Sequence, residues 1–297
     1  MFARVLFPTD FSLYANAVFA CLPDLKSAGL REVVLVGIIR ESDVPLPESV
    51  NRESLERVRE SIAEQLYIAR LALEGKGLRV STRIEYGNPA TQIVRVAQEE
   101  HVDLIFMGAQ GKTLAQELLL GSTAHEVVRR ATVPVLIEKF HVVREMGHVK
   151  CSRVCEQMFA RVLHPTDFSE CAEAAFQVVK HLRTAGTEEV FVLHVQDERV
   201  MQNRPAEQLA EFDRHDMARL EALCRALRLF GLKATPVLRH GIPFRETLKV
   251  AEEIGPCLIV LGLYGRSALQ EMLMGSTFEN ILRLARHPVL AIRPTSD

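Results

Sequence analysis

The sequence predicts an α/β protein made of two tandem domains, each built on a parallel sheet that helices cover on both faces. First, the chain repeats itself: FARVLFPTDFS at 2–12 returns as FARVLHPTDFS at 159–169, and MGAQGKTLAQELLLGST at 107–123 returns as LGLYGRSALQEMLMGST at 261–277. Second, strand and helix signals alternate within each copy, which favours right-handed crossovers and parallel pairing. Third, most strand signals are continuous apolar runs, as expected for strands buried on both faces.

Five short apolar runs predict the strands of the first copy. The third of them alternates in part between apolar and polar residues, which suits the edge of a sheet. The runs are ARVLFP at 3–8, EVVLVGII at 32–39, LRVSTRIEY at 78–86, VDLIFMG at 102–108 and VPVLIE at 133–138.

Two helices are predicted between the first three strands. The stretch 11–29 has helical character, but Pro23 lies inside it, so we expect a kink or an early end. From Leu55 to Leu73, apolar residues recur every three or four positions and form one stripe on a long helix.

Two further helices complete the first copy. Asn88 and Pro89 suit the N-cap and first position of a helix that runs to about residue 100. The last helix is predicted over about 123–131.

The second copy repeats this order of elements. The offset between the copies is 157 residues at the first motif and 154 at the second, so the second copy lacks three residues between them. We therefore predict domains at 1–140 and 159–297, joined by a linker at 141–158. The strands of the second copy are predicted at ARVLHP, EVFVLHV, LKATPVLRH, CLIVLG and HPVLAIR.

Composition argues against several classes of function. The 297 residues carry a formal net charge of -2 and no long run of Lys or Arg, which argues against a nucleic-acid partner. Apolar runs are far shorter than the ~20 residues that cross a bilayer, so no membrane partner is expected. The N-terminus MFARVLFPTDFS starts like a strand and not like a signal peptide, and we expect a cytoplasmic protein.

The six cysteines are expected to be reduced thiols in that setting. His148, Cys151 and Cys155 have the spacing H-x2-C-x3-C, but a zinc site usually needs a fourth ligand and no convincing second pair exists. We interpret Cys151 and Cys155 as linker thiols, with a zinc site as the weaker alternative, and predict no metal ligand.

The fragment GAQGKT resembles the end of a phosphate-binding P-loop, but the spacing is wrong. A G-x4-G-K-[ST] loop ending at Lys112 would place its first glycine at Phe106, and the second copy has Val260 at that place. Lys112 also becomes Arg266. The sequence therefore contains no P-loop.

The pattern that does occur twice is G-x2-G-x9-G-S-T. The first glycine ends a buried strand, and the second follows a tight turn, where glycine permits positive φ and close backbone approach. The third opens a helix, whose N-terminal N–H groups and dipole favour an anion such as a polyphosphate. The alternative is that these glycines only make turns, because a duplication preserves a structural turn as readily as a binding site. The glycines are Gly108, Gly111 and Gly121 in the first copy and Gly262, Gly265 and Gly275 in the second.

These motifs, together with PTDFS at the end of the first strand, resemble those of the universal stress proteins, over nearly the whole chain. The glycine spacing is similar to that of the branch that binds ATP. The resemblance implies two doubly wound, five-stranded, HUP-type or Rossmann-like domains with strand order 3-2-1-4-5. In such a sheet the ligand crevice lies where the strand order reverses, between the ends of strands one and four.

The resemblance also implies a set of ligand-binding residues. ATP, ADP or AMP is the implied cofactor, with Mg²⁺ held mainly through the phosphates. Gln110 and Tyr264 stand where the family often has His, and the bulk of Tyr264 predicts weaker or different binding in the second copy. The implied residues are Pro8, Thr9, Asp10, Ile38, Met107, Gly108, Gln110, Gly111, Gly121, Ser122 and Thr123 in the first copy, and Pro165, Thr166, Asp167, Val195, Leu261, Gly262, Tyr264, Gly265, Gly275, Ser276 and Thr277 in the second.

Several residues have a plainer structural reading. Asp10 and Asp167 suit helix N-caps as well as ligand contacts, although we favour contacts. His164 replaces Phe7 beside the site and suggests a general base, but the favoured interpretation is a histidine that fills the edge of the core. His194 is read as structural.

Three functions follow from these observations. The favoured one is an adenine-nucleotide-binding stress-response regulator with two pseudo-equivalent sites. The second is an enzyme, either a slow ATPase or an adenylyl-transfer enzyme, but we predict no catalytic residue because no side chain is placed as a base for water. The third is an assembly module independent of nucleotide. By resemblance, the fifth strands of the two copies are expected to pair as an intramolecular pseudo-dimer, and a homodimer of such chains is possible.

Overall fold

The computed structural model describes residues 1–40, 51–110, 120–145, 148–153, 155–201, 204–265 and 275–294. It divides into two compact units, residues 1–138 and residues 139–297. Gly111, which the resemblance implies as a ligand residue, lies outside the described residues, as do Lys112 and Arg266.

The first unit contains a five-stranded sheet in which every pairing is parallel. The strands lie in the order β3-β2-β1-β4-β5, which confirms the predicted 3-2-1-4-5 order. The order reverses at β1, which pairs with β2 on one side and with β4 on the other. Their bounds are β1 Arg4–Thr9, β2 Glu32–Ile39, β3 Arg79–Tyr86, β4 Leu104–Gly108 and β5 Val135–Glu138.

The helices of the first unit follow the predicted order. The first helix does end early, and Pro23 lies in a short 3-10 helix at Leu22–Lys26. Asn88 caps the third helix by accepting a hydrogen bond from the Thr91 N–H, as predicted. The helices are α1 Leu13–Phe19, α2 Asn51–Glu74, α3 Pro89–Glu99 and α4 Ser122–Arg130.

The core of the first unit lies between the sheet and its helices. The central strands β1 and β4 bury all their middle residues, and Phe7 packs against Phe106 with 6.1 Å between ring centroids. On α2, Leu66 and Leu73 are buried, which confirms the predicted apolar stripe. Because β1, β2 and β4 are fixed by this core, the residues at their carboxyl ends are held at one edge of the sheet.

The second unit begins with a hairpin that was not predicted. Strands β6 Phe140–Glu145 and β7 His148–Arg153 pair antiparallel within the stretch expected to be a linker. Apolar and polar residues alternate only briefly in these two strands, and several residues are charged, so the sequence resembles an irregular connection.

The remainder of the second unit repeats the architecture of the first. Its strands lie in the order β10-β9-β8-β11-β12, all parallel, with β8 at the reversal point. The strands are β8 Arg161–Pro165, β9 Glu189–Asp197, β10 Lys233–Gly241, β11 Leu258–Gly262 and β12 Val289–Ile292, and the helices are α5 Glu170–His181, α6 Glu198–Met201, α7 Ala206–Leu229, α8 Pro243–Ile254 and α9 Ser276–Leu284.

The expectation of reduced cysteines is wrong for one pair. Cys155 and Cys257 form a disulfide across a sequence separation of 102 residues, with 5.4 Å between their Cα atoms. The sequence offered no spacing that linked them, because only the fold of the second unit brings Cys155 next to the start of β11. Cys21, Cys171 and Cys224 are buried thiols, and burial raises the pKa of Cys224 to about 11.

Over the described residues, no helix has the length and apolar character that a membrane span requires.

Candidate functional site

The two strongest sequence motifs meet in one cavity of the first unit. The cavity has a volume of about 770 Å³ and lies at the carboxyl ends of β1, β2 and β4, where the strand order reverses. All ten predicted ligand residues of this unit that the structure describes line it: Pro8, Thr9, Asp10, Ile38, Met107, Gly108, Gln110, Gly121, Ser122 and Thr123. Residues about a hundred positions apart in sequence therefore share one crevice.

A tight turn after β1 sets the position of Asp10. The Ser12 N–H donates to Asp10 Oδ1 at 3.0 Å, and the Phe11 N–H donates to Thr9 Oγ1 at 3.0 Å. Phe11 has φ of 56°, in the left-handed region that bulky residues rarely occupy. Ser12, and not Asp10, is the N-cap of α1, since its side chain accepts from the Ala15 N–H. The capping alternative for Asp10 is therefore wrong, and its carboxylate instead braces the turn at the cavity wall.

The second unit builds the same turn. The Ser169 N–H donates to Asp167 Oδ1 at 3.0 Å, and the Phe168 N–H donates to Thr166 Oγ1 at 3.0 Å. Phe168 has φ of 60°, and Ser169 caps α5. The alternative that Asp167 is the N-cap is wrong for the same reason as in the first unit.

The first glycine of each motif has a packing role. A Cβ added at Gly108 would lie 2.7 Å from the ring of Tyr14, and one added at Gly262 would lie 2.7 Å from the backbone of Cys171. These glycines let α1 and α5 approach the neighbouring strand closely. The architectural reading accounts for both of them without a ligand.

The third glycine of each motif leaves a helix N-terminus without a capping side chain. Gly121 and Gly275 are the N-caps of α4 and α9, and neither helix has a side-chain hydrogen bond at its cap. Ser122 and Ser276 thus occupy the first helical position, where they were expected either to cap the helix or to bind phosphate. By contrast, α1, α3 and α5 are each capped by a serine or asparagine side chain. The N–H groups and the dipole of α4 therefore face the cavity without competition from a capping oxygen, which suits an anion.

The second glycine can be described only in the second unit. Gly265 does not have positive φ, so that part of the expectation is wrong. A Cβ there would lie 2.9 Å from Asp167 Oδ2, which confirms the close approach. The end of β8 and the glycine loop after β11 therefore touch, as the predicted convergence requires.

The other predicted residues of the second unit lie at the corresponding strand ends. Val195 is half-buried near the end of β9, and Leu261 is buried in β11. The Tyr264 N–H donates to Cys171 Sγ at 3.4 Å, and the guanidinium of Arg293 lies over its ring, 5.3 Å from the centroid. Tyr264 is thus held by contacts of its own at the place where the first unit has Gln110.

Sequence reasoning missed a polar pair beside the second crevice. His194 Nδ1 lies 2.7 Å from the Thr166 carbonyl oxygen, and its Nε2 lies 3.5 Å from Asp216 Oδ2. In the first unit, Gly37 stands in the place of His194, and a Cβ there would lie 2.6 Å from Ile62 Cγ2. An apolar contact between β2 and α2 has therefore become a polar pair between β9 and α7. The contact with the Thr166 carbonyl fits the structural reading of His194.

His164 is unsuited to proton transfer. Its side chain is fully buried, with Nδ1 2.9 Å from the Val260 carbonyl oxygen, and burial lowers its pKa to about 4. A group that solvent and substrate cannot reach does not act as a general base. Within the described ranges, no three His, Cys, Asp or Glu side chains are grouped so as to hold a metal ion.

Each of the two copies matches the same family of known proteins. The model of the universal stress protein family matches residues 1–139 and again residues 158–293. A universal stress protein of Methanocaldococcus jannaschii is 34% identical over 155 residues, which cover 46% of this chain and 96% of that protein. A universal stress protein of Mycobacterium tuberculosis is 25% identical over 302 residues, covering 97% of this chain and 96% of that protein.

A solved structure has the same architecture over the full length. The crystal structure of a universal stress protein from Archaeoglobus fulgidus covers 98% of this chain and 96% of its own, with a TM-score of 0.73 and 24% identity. At that identity the likeness shows the fold alone.

Proposed function

Since this chain belongs to the universal stress protein family, with the family's domain present twice, we propose that it is a regulator that binds adenine nucleotides at two pseudo-equivalent sites. The observation that carries the proposal is the cavity of about 770 Å³ in the first unit. It joins the turn at Thr9 and Asp10 to the uncapped N-terminus of α4, and its volume lies within the range of about 300–1,000 Å³ that is usual for small-molecule sites.

The groups that line this cavity suit the parts of a nucleotide. Ile38 and Met107 offer apolar surface for the base. Asp10 offers carboxylate oxygens to hydroxyl or amino groups, and Gln110 also lines the cavity. The N–H groups at Ser122 and Thr123 suit the phosphates, because a helix N-terminus attracts anions. Mg²⁺ would then be held mainly by phosphate oxygens.

The second unit supports a related site with altered contacts. It repeats the turn at Asp167 and the uncapped start of α9 at Gly275. Tyr264 and His194 replace smaller groups of the first unit, so we expect the two sites to differ in affinity.

Regulation by occupancy fits these features better than catalysis. Hydrolysis needs a positioned water and a group that orients it, whereas the Asp10 carboxylate in the cavity wall accepts a hydrogen bond from the Ser12 N–H. A slow ATPase and a module that works without nucleotide are the alternatives.

The first experiment counts the nucleotide that the purified protein carries. The protein is denatured, the released nucleotide is identified by mass spectrometry, and the stripped protein is titrated with Mg-ATP. Bound adenine nucleotide, or binding on titration, supports the proposal. If neither occurs, the proposal fails and the nucleotide-independent module remains. Release of phosphate during the titration would favour the slow ATPase.

A matched pair of variants tests where the nucleotide lies. Gly121→Leu places a side chain at the start of α4, and Gly75→Leu places the same side chain outside the cavity. At both positions the new Cβ would lie 3.3 Å from a backbone carbonyl oxygen, so the local strain is similar. We expect Gly121→Leu to lose ATP binding at the first site and Gly75→Leu to retain it, with both proteins folded. Equal binding by the two variants would contradict the assignment.

A further inference from the structure

A phenylalanine ring lines the first crevice beside the strand end where we place the base. Phe11, in the turn after β1, borders the cavity together with Ile38 and Gln65. Its Cε2 lies 3.9 Å from the position of a Cβ added at Gly37, the residue before Ile38. The ring therefore belongs to the same part of the cavity as Ile38, and it offers an aromatic surface on which a planar base can stack.

The corresponding phenylalanine of the second unit has a different neighbour on the strand. Phe168 repeats Phe11 at an offset of 157 residues, and both have positive φ. The same offset places His194 where the first unit has Gly37. The rings of His194 and Phe168 are in contact, with 4.6 Å between their centroids. An imidazole thus packs where the first unit has no side chain.

The helix beside this ring also differs between the units. Helices α2 and α7 align at an offset of 154 residues, which is kept by their buried leucines and by the glycines at 77 and 231 that follow them, with φ of 77° and 78°. This offset places Arg219 where the first unit has Gln65. Arg219 Cζ lies 3.7 Å from the centroid of the Phe168 ring, directly over its face. A guanidinium group therefore covers the counterpart of the ring that lines the first cavity.

Hydrogen bonds fix the imidazole that supports this ring. His194 Nδ1 lies 2.7 Å from the Thr166 carbonyl oxygen, and its Nε2 lies 3.5 Å from Asp216 Oδ2. The same carboxylate oxygen accepts a hydrogen bond from Nε2 of the buried Gln196 at 2.9 Å. The imidazole is therefore held between strand β9 and helix α7. Because Phe168 packs against it, the ring stays under the guanidinium group.

We propose that Arg219 determines ligand selection in the second unit: it covers the ring surface that the first unit offers to the base, so the second crevice binds a nucleotide through its ribose and phosphates without recognising the base. This inference rests on the proposed function. A base that stacked on Phe168 would first have to displace Arg219 and break its cation–π contact. The uncapped helix start occurs in both units, so the difference concerns the base.

Two ligands that differ only in the base test this inference. AMP and ribose 5-phosphate share the ribose and the 5′-phosphate. Both are titrated by calorimetry into full-length Gly121→Leu protein, which keeps the second site, and into Gly275→Leu protein, in which the equivalent change leaves the first. At the first site we expect AMP to bind about tenfold or more tightly than ribose 5-phosphate, a factor that stacking on an aromatic ring can supply. At the second site the two affinities should agree within about twofold.

Reciprocal exchanges identify the arginine as the cause. Arg219→Gln, made in the Gly121→Leu protein, gives the second site the residue of the first and uncovers Phe168, so the preference for AMP should rise to about fivefold or more. Gln65→Arg, made in the Gly275→Leu protein, should lower the preference at the first site to about threefold or less. The affinity of that site for ribose 5-phosphate should change by less than about twofold, because its ribose and phosphate contacts are untouched.

A matched control removes another arginine from the same helix. Arg214 is exposed on α7, and its Nε donates to the Ala210 carbonyl oxygen of that helix at 3.3 Å. Arg214→Gln, made in the Gly121→Leu protein, loses the same charge as Arg219→Gln without uncovering a ring. It should leave the two affinities of the second site equal within about twofold. Thermal unfolding checks that all of these proteins fold.

The outcomes separate this inference from the proposed function. A preference for AMP that is absent from the second site and restored by Arg219→Gln supports the inference. An equal preference at both sites, or exchanges at 65 and 219 without effect, overturns it and leaves the proposed function standing. A preference that falls in Arg219→Gln would mean that the base stacks on the guanidinium itself, which also overturns it. If the Gly121→Leu protein binds neither ligand, the inference fails while the first site stands; if no adenine nucleotide binds to any of the proteins, both fail.

Discussion

A negative charge at the start of α4 should raise the stability of the free protein and weaken nucleotide binding. Ser122 is the first residue of this nine-residue helix, is exposed, and lines the cavity. In Ser122→Asp the new carboxylate lies at the positive end of the helix dipole, where no side chain caps the helix. We expect it to raise the free energy of unfolding by about 0.3–1 kcal/mol at low salt.

The same carboxylate would repel the phosphates that we place at this helix end. Two unit charges about 5 Å apart repel by about 1–3 kcal/mol when the effective dielectric constant lies between water and a protein surface. The affinity for ATP at the first site should therefore fall by a factor of about 5–150, since each 1.4 kcal/mol is a factor of ten. Ser276→Asp is the equivalent change at α9 in the second unit.

Calorimetric titration with Mg-ATP and thermal unfolding of the free protein measure the two effects. Ser122→Asn introduces a side chain of the same size as that of Ser122→Asp but without its charge, so it should alter ATP binding much less. If the Ser122→Asp variant binds ATP as tightly as the original protein, the placement of phosphate at α4 is wrong. Loss of both stability and binding would instead mean that the change disrupts the helix, and the argument from the dipole would be wrong.

Three further predictions concern stability. Burial lowers the pKa of His164 to about 4, below the ~6.5 of an unfolded chain, so the unfolded state binds more protons and the free energy of unfolding falls from pH 6.5 towards pH 4. His164→Phe should remove a loss of about 2 kcal/mol at pH 5, which urea unfolding at pH 7 and pH 5 measures. Equal acid sensitivity of the variant and the original protein would contradict this prediction. Cys155→Ser, which opens the disulfide to Cys257, should lower the free energy of unfolding by about 2–4 kcal/mol, and a reductant should destabilise the original protein but not the variant. Gly262→Ala should lower the free energy of unfolding by about 1–3 kcal/mol, because the new Cβ meets the backbone of α5. Gly108→Ala should lower it less, because the new Cβ there meets the side-chain ring of Tyr14, and denaturant unfolding that ranks the two variants the other way would contradict the packing argument.

Most of the fold could be predicted from the sequence because the strands of the two parallel sheets have clear local signals. Apolar runs such as 32–39 became β2 with the predicted bounds, and Asn88 with Pro89 fixed the start of α3. Buried parallel strands give these signals reliably, since both of their faces lie in the core. The order of the strands came from the resemblance and not from the periodicity, because pairing depends on contacts between distant parts of the chain.

Several features that the sequence did not reveal depend on such distant contacts. The disulfide of Cys155 and Cys257 needs the folded second unit to bring the two residues together. The pair of His194 and Asp216 joins a strand to a helix more than twenty residues away, and no short motif marks it. The close approach of Gly265 to Asp167 joins the loop after β11 to the turn after β8, which no local pattern in the sequence marks.

Comparison of the two copies distinguishes the residues that build the crevice from those that we expect to select a ligand. Both units keep a phenylalanine at φ near 60° after the first strand, although a bulky residue in that region costs about 1–3 kcal/mol. Both also keep the Thr and Asp hydrogen bonds of that turn and an uncapped helix after the glycine loop. A strained geometry that occurs twice indicates a shared scaffold, and that scaffold lies at the ends of the first and fourth strands of each sheet.

The differences between the units lie on the other side of the crevice, at the second strand and the helix that follows it. By the offsets of 157 and 154 residues between the copies, Arg40 aligns with Asp197 and Arg57 aligns with Glu211. The same side holds the exchange of Gly37 for His194. The charge of these aligned residues changes sign, while the turn after the first strand and the uncapped helix keep the same form in both units. A ligand that bound only through its 5′-phosphates would be insensitive to these changes, so any difference in occupancy between the two sites should follow what lies beyond the phosphates, at the ribose and the base.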